Sequence, residues 1–164
     1  MQVKISGLYE ILYHYQTFKP KFCISLLDIG VNAKEALGFK GENHLILHFE
    51  DYDKRWAHSS VAPKLDDIQK IVDFARNIGP DDKVLVNCHA GVSRSAATAI
   101  GILVQHGMHP ADAILYCKEI RPQMWPNDLI TEYFSEVLGV DISTALEMWM
   151  DTNNYYYMED YNNG

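Results

Sequence analysis

Positive charge is scarce in this sequence: 14 Lys and Arg stand against 22 Asp and Glu, for a formal net charge of −8. Nucleic acid is normally bound by a basic face, so no nucleic-acid partner is expected. An anionic ligand gets no help from the overall field either, and affinity for one has to come from a local site. Cysteine is equally sparse. Cys23, Cys88 and Cys117 are odd in number, far apart and without a CxxC pair, which argues against a disulfide framework or a zinc site. His44, His48, His58, His106 and His109 show no ligand spacing, so neither a metal nor a cofactor is assigned. No stretch approaches the ~18 apolar residues of a membrane span. The opening MQVKISGLYEILYHYQ lacks the cationic start, apolar block and small-residue cleavage site of a secretion signal. The expectation is a cytoplasmic protein with reduced thiols and no membrane partner.

What is present is the balance of a globular domain: 48% apolar and 22% charged residues over 164 positions. Residues 1–8, 22–28, 44–49 and 83–86 read as strands. Residues 8–16 read as helical. From Ala62 the run APKLDDIQKIVDFARNIG puts Leu65, Ile68, Ile71, Val72 and Phe74 on one helical face, with Asp66 and Asp67 early and Gly79 past the end. Ser95–His106, Pro110–Ile120 and Asp128–Leu138 read as further helices, with a Pro-punctuated turn at 121–127. Strands alternating with helices predict an α/β domain with a largely parallel central sheet flanked by helices. With no repeat and no linker, residues 1–150 are expected to form one domain. Residues 151–164, polar and rich in Tyr and Asn, are expected to form a loose tail.

The segment VLVNCHAGVSRSAATAIGILV, residues 84–104, carries the chemistry. An apolar strand runs into Cys88, five residues follow, then come Arg94, Ser95 and a helix. Five residues suffice for a loop to curl around an anion with its backbone N–H groups turned inward. Gly91 permits a backbone angle other residues resist. The helix start adds N–H donors and a partial positive charge. Arg94 supplies a planar fork for two phosphate oxygens, which Lys could not. The same surroundings favour the thiolate of a cysteine, so one constellation binds phosphate and activates a nucleophile.

Cys88-His89-Ala90-Gly91-Val92-Ser93-Arg94-Ser95 resembles the C-x5-R-[ST] signature of protein tyrosine phosphatases, and its HAGVSRS form looks most like the dual-specificity branch. The resemblance spans roughly residues 20–138. It implies a phosphate loop set between a central strand and a helix. It also implies a cysteinyl-phosphate intermediate on Cys88, with phosphate held by Arg94 and the loop residues His89 to Ser93. Asp51, directly after an apolar strand, resembles the family's general acid. Asp53 is the alternative in the same acidic run. Ser95 would hydrogen-bond the departing thiolate, or cap its helix. Arg121-Pro122…Pro126-Asn127 resembles the family's R-x4-PN segment, which makes Asn127 a brace for the loop or a plain helix cap. The sequence departs from the family at Asn87, where relatives carry a histidine that helps hold the loop and the ionised cysteine.

The expected substrate is a phosphorylated protein. Loops of inositol-lipid phosphatases in this superfamily tend to carry lysine, and His89, Ala90, Val92 and Ser93 include none. The chain is also short for the segments that deepen the pocket of larger tyrosine-specific enzymes, so phosphoserine and phosphothreonine stay open beside phosphotyrosine. Two rivals remain: a phosphate-binding module without turnover, and another cysteine-loop enzyme such as a rhodanese-like sulfurtransferase or an arsenate reductase.

Overall fold

The computed structural model describes residues 1–162, with side chains placed as far as Asn153. Four strands, β1 (Gln2–Ser6), β2 (Phe22–Leu27), β3 (Asn43–His48) and β4 (Lys83–Asn87), form one sheet in the order β1-β4-β2-β3. Every pairing is parallel, as the alternation of strands and helices predicts. Seven helices surround it among the described residues: α1 (Ile11–Phe18), α2 (Ala33–Leu37), α3 (Leu65–Ala75), α4 (Arg94–Gln105), α5 (Pro110–Ile120), α6 (Asp128–Leu138) and α7 (Ile142–Asn162).

Strand periodicity sorts the core into two layers. Phe22, Ile24 and Leu26 of β2, with Val84 and Val86 of β4, pack into the larger cluster under α3 to α7. Cys23 and Leu27 of β2, with Leu85 of β4, face the smaller cluster formed with Ile11 and Leu37. All of β2 is buried, which is why its sequence FCISLL shows no polar alternation beyond Ser25. Helix α4 has to lie close to α6: a Cβ on Gly101 would sit 2.5 Å from the Phe134 ring.

Two short elements escape the sequence reading, α2 and a 3₁₀ turn at Lys54–Trp56. Both are too brief to show a period, and both are set by local caps: Asn32 accepts from Lys34 N and Glu35 N, and Asp53 accepts from Arg55 N. The tail differs more. Helical backbone runs through Asn162 where a loose segment was expected from Asp151. Asp141 caps the start through Thr144 N at 3.0 Å, and Ile142 and Leu146 pack into the core. No proline or glycine interrupts the sequence before Gly164, and a helix once nucleated propagates at little cost per residue. The tyrosine-rich side chains beyond Asn153 lie outside the described residues.

Candidate active site

In a parallel sheet the strand ends converge on one edge, where ligands bind in open α/β folds. Here the carboxyl ends of the strands deliver Gly7 after β1, Asp28 after β2, Phe49 and Asp51 after β3, and Cys88 after β4. The loop from Cys88 to Arg94 rises from β4 and enters α4. Gly91 sits at φ +70°, and a Cβ there would fall 2.5 Å from Gly7 N and the Ser6 carbonyl carbon. Glycine is therefore required twice over, by backbone angle and by the close approach of the β1 end.

The carbonyls from His89 to Ser93 all find partners. His89 O accepts from Leu8 N at 2.9 Å. Arg121 donates to Ala90 O at 3.1 Å and to Gly91 O at 2.9 Å, and its guanidinium also pairs with Glu10. Val92 O accepts from Trp125 N at 3.0 Å, and Ser93 O from Ala97 N at 3.0 Å and Asn127 N at 3.3 Å. Among the described residues, the N–H groups from His89 to Ser93 donate to no backbone or side-chain acceptor. Carbonyls bound outward with amides left free make a concave nest of donors, the arrangement that receives an oxyanion.

Cys88 and Ser95 are both buried, with Sγ and Oγ 3.2 Å apart. Arg94 is 3% exposed. Its Nη1 donates to Phe49 O at 2.6 Å, and Nη2 pairs with Asp28 Oδ1 at 2.6 Å. Its Nε is buried without a partner. Asp28 is a site residue the sequence reading missed. Its signal was a lone carboxylate directly after the apolar run of β2, at the sheet edge where sites form. Asp28 also lies 3.7 Å from Nδ1 of His89, whose half-exposed ring meets Tyr9 at the mouth.

The two candidate acids sit two residues apart in different surroundings. Asp51 is exposed, and its Oδ1 accepts from Ser93 Oγ at 2.7 Å and Asn127 Nδ2 at 2.9 Å. Asp53 instead caps the 3₁₀ turn and is bonded through both oxygens by Arg55. The Arg55 guanidinium holds the Asp53 carboxyl below the usual carboxylate range. Asn127 caps α6, its Oδ1 accepting from Ile130 N at 3.0 Å, while its Nδ2 reaches the acidic turn at Asp51 and Tyr52 O and not the loop from Cys88 to Arg94.

Asn87, where the sequence leaves the family pattern, is buried and accepts from Ser25 Oγ at 2.5 Å. Cys23 and Cys117 are buried thiols pushed up to about 12 by desolvation, so neither is a competing nucleophile. Trp125 packs against Trp149, with ring centroids 5.8 Å apart, and also lines a cleft. That cleft, of about 230 Å³, lies beside the loop, bounded by Asp51, Asp53, Ser93, Trp125, Asn127 and Asp128, and its lining does not include Cys88 or Arg94. No described helix is long and apolar enough to cross a membrane.

Comparison with known proteins gives the same direction. The family model "Dual specificity phosphatase, catalytic domain" matches residues 12–136. Protein phosphatase Slingshot homolog 3 of Mus musculus is 31% identical over 96 residues, 58% of this chain and 14% of that protein, so the chain spans about a seventh of this relative. Among solved structures, the PTP-2 phosphatase of Cydia pomonella aligns at TM-score 0.60 and 23% identity over 83% of this chain and 85% of that one. Human DUSP28 aligns at 0.61 and 17% over 82% and 86%. PTPMT1 in complex with PI(5)P aligns at 0.58 and 20% over 84% and 93%. These structural likenesses speak for the fold, and the family model, matched over most of the sequence, decides the assignment: the chain belongs to the dual specificity phosphatase catalytic-domain family.

Proposed function

We propose that the protein hydrolyses phosphomonoesters on protein side chains, phosphotyrosine and also phosphoserine or phosphothreonine, through a cysteinyl-phosphate. The observation that carries the reading is the run from His89 to Ser93, whose carbonyls are tied outward while its amides stay free beside Cys88 and the unpartnered Arg94 Nε. Phosphate oxygens fill that nest, and the Cys88 thiolate attacks phosphorus in line with the leaving oxygen. As the P–O bond breaks, Asp51 gives the leaving oxygen its proton. Asp51 then takes a proton from the attacking water, the S–P bond breaks, and Ser95 Oγ–H stabilises the departing thiolate at 3.2 Å. Preorganised donors of this kind act without reorganisation during the reaction. Asp51 is favoured over Asp53 because it faces the loop through Ser93, whereas Asp53 is occupied by Arg55.

The groove beside the loop supports the substrate class. Asp51, Asp53 and Asp128 on its wall repel a polyanion. The loop offers no lysine to offset them, so an inositol-lipid headgroup like that seen with PTPMT1 is a poor fit.

The test is hydrolysis of a generic aryl phosphate by the wild type and by Cys88→Ser. Turnover that disappears in the variant supports the mechanism. A wild type that binds phosphate without turnover is the non-catalytic binding module instead.

A further inference from the structure

The face of the sheet under α1 and α2 is apolar around Ile11, Cys23, Leu27, Leu37 and Leu85, with one exception. At the level just before the nucleophile, Asn87 of β4 has Ser6 of β1 and Ser25 of β2 as its register partners, and all three are buried. An apolar residue at 25 or 87 would fill this layer without any polar group to satisfy, since a buried hydroxyl or amide is costly unless bonded. The bonds run in one direction. Ser25 donates its hydroxyl proton to Asn87 Oδ1 at 2.5 Å. A hydroxyl has a single proton, so Ser25 Oγ is the acceptor from His44 Nε2 at 2.7 Å. Burial holds the His44 pKa down to about 4, and its ring stacks on Phe39 with centroids 5.4 Å apart. His44 is therefore a neutral ring fixed in its Nε2–H tautomer. The chain His44 to Ser25 to Asn87 pins the Asn87 amide by its oxygen. The amide's Nδ2 end stays buried with no partner. An orphaned buried donor destabilises the fold, and a packing role gives no reason to keep one here.

We propose that Ser25 and His44 are positioning residues for the nucleophile. By holding the Asn87 amide they fix the junction between β4 and the phosphate loop, one residue before Cys88. The inference rests on the phosphatase reading and extends it to two residues on separate strands, 63 and 44 positions before the cysteine.

The experiment follows alkylation of Cys88 by iodoacetate across pH in the full chain, alongside kcat and KM for an aryl phosphate. Ser25→Ala removes the link, Ser25→Thr keeps the hydroxyl, and His44→Phe keeps the ring stack on Phe39. Loss of one such hydrogen bond is expected to slow both alkylation at pH 7 and kcat by about two- to tenfold, with KM nearly unchanged. Ser25→Thr should restore most of the rate. The double variant Ser25→Ala/His44→Phe should be no slower than Ser25→Ala alone, because His44 acts only through Ser25. A Ser25→Ala protein with a lower melting temperature but wild-type alkylation and kcat overturns the proposal, as does a double variant whose losses multiply. If Ser25→Ala does not fold, His44→Phe decides alone: at least a twofold slowing supports the chain and no change overturns it. A wild type that neither hydrolyses the aryl phosphate nor alkylates faster than free cysteine defeats the phosphatase reading itself and takes this inference with it.

Discussion

On one side of the site, Cys88, Arg94 and Ser95 are 1%, 3% and 0% exposed, and each carbonyl from His89 to Ser93 is bound. On the other side, Asp51 is exposed and held by two side-chain donors, Ser93 and Asn127. The proposed nucleophile half is buried, whereas the proposed acid sits at the surface on a turn bonded through Glu50, Tyr52 and Lys54 to Val61, Asn127 and Asp128. The difference follows from what each must do in the proposed mechanism. Charge develops at fixed places around the phosphate, so its donors gain from rigidity. The acid has to reach leaving oxygens on side chains of different length, so it gains from an exposed position.

Substitutions on the two sides should therefore behave differently. The largest effect is expected for Cys88→Ser, which should abolish turnover and leave vanadate or phosphate binding nearly intact, because the nest and Arg94 remain. Steady-state kinetics with equilibrium binding checks this, and residual activity above a few per cent would sink the mechanism. Arg94→Lys should lose binding and rate together, since a point charge replaces neither the free Nε nor the pair with Asp28. A variant with normal phosphate affinity would show that the fork is not the clamp.

On the acid side, Asp51→Asn is expected to lower kcat by about 10²-fold or more for a poor leaving group and to flatten the alkaline limb of the pH–rate profile. The deficit should shrink as the leaving group becomes more acidic. Asp53→Asn should change kcat by less than about twofold. If Asp53→Asn gives the large, leaving-group-dependent loss, the two aspartates have exchanged roles. The smallest kinetic effect belongs to the loop's outer brace. Arg121→Ala strips the donors from Ala90 O and Gly91 O, for a stability loss of about 1–3 kcal/mol read by denaturant unfolding. Its kcat should fall less than that of any variant inside the nest.

Much of this was readable before the chain was folded, and the unreadable parts have physical causes. The parallel α/β sheet follows from β-branched and apolar strands alternating with helical periods, and Pro110–Ile120 and Asp128–Leu138 lie where their caps and turns place them. The Cys88–Arg94 loop is contiguous, so its spacing, its glycine and the helix behind it can be read from one stretch of sequence. Helix α7 was misjudged beyond Asp151 because composition reports the polarity of those residues. It does not report that a capped, core-packed first half extends into them. Trp125 at the cleft wall was likewise hidden, since an aromatic residue in a turn carries no mark of which surface it faces.

By itself the sequence determined the phosphate loop, the nucleophile candidate and the pattern of buried strands, because these depend on neighbours within a few residues. Only the tertiary structure decided the partners: Asp28 on Arg94, Arg55 on Asp53, Asn127 on Asp51, and the chain from His44 through Ser25 to Asn87. Three of these four join residues that lie far apart in the chain and meet only where parallel strands end on a common edge or lie side by side. Hydrogen bonds and ion pairs act over about 3–4 Å of space, a distance that sequence separation does not encode.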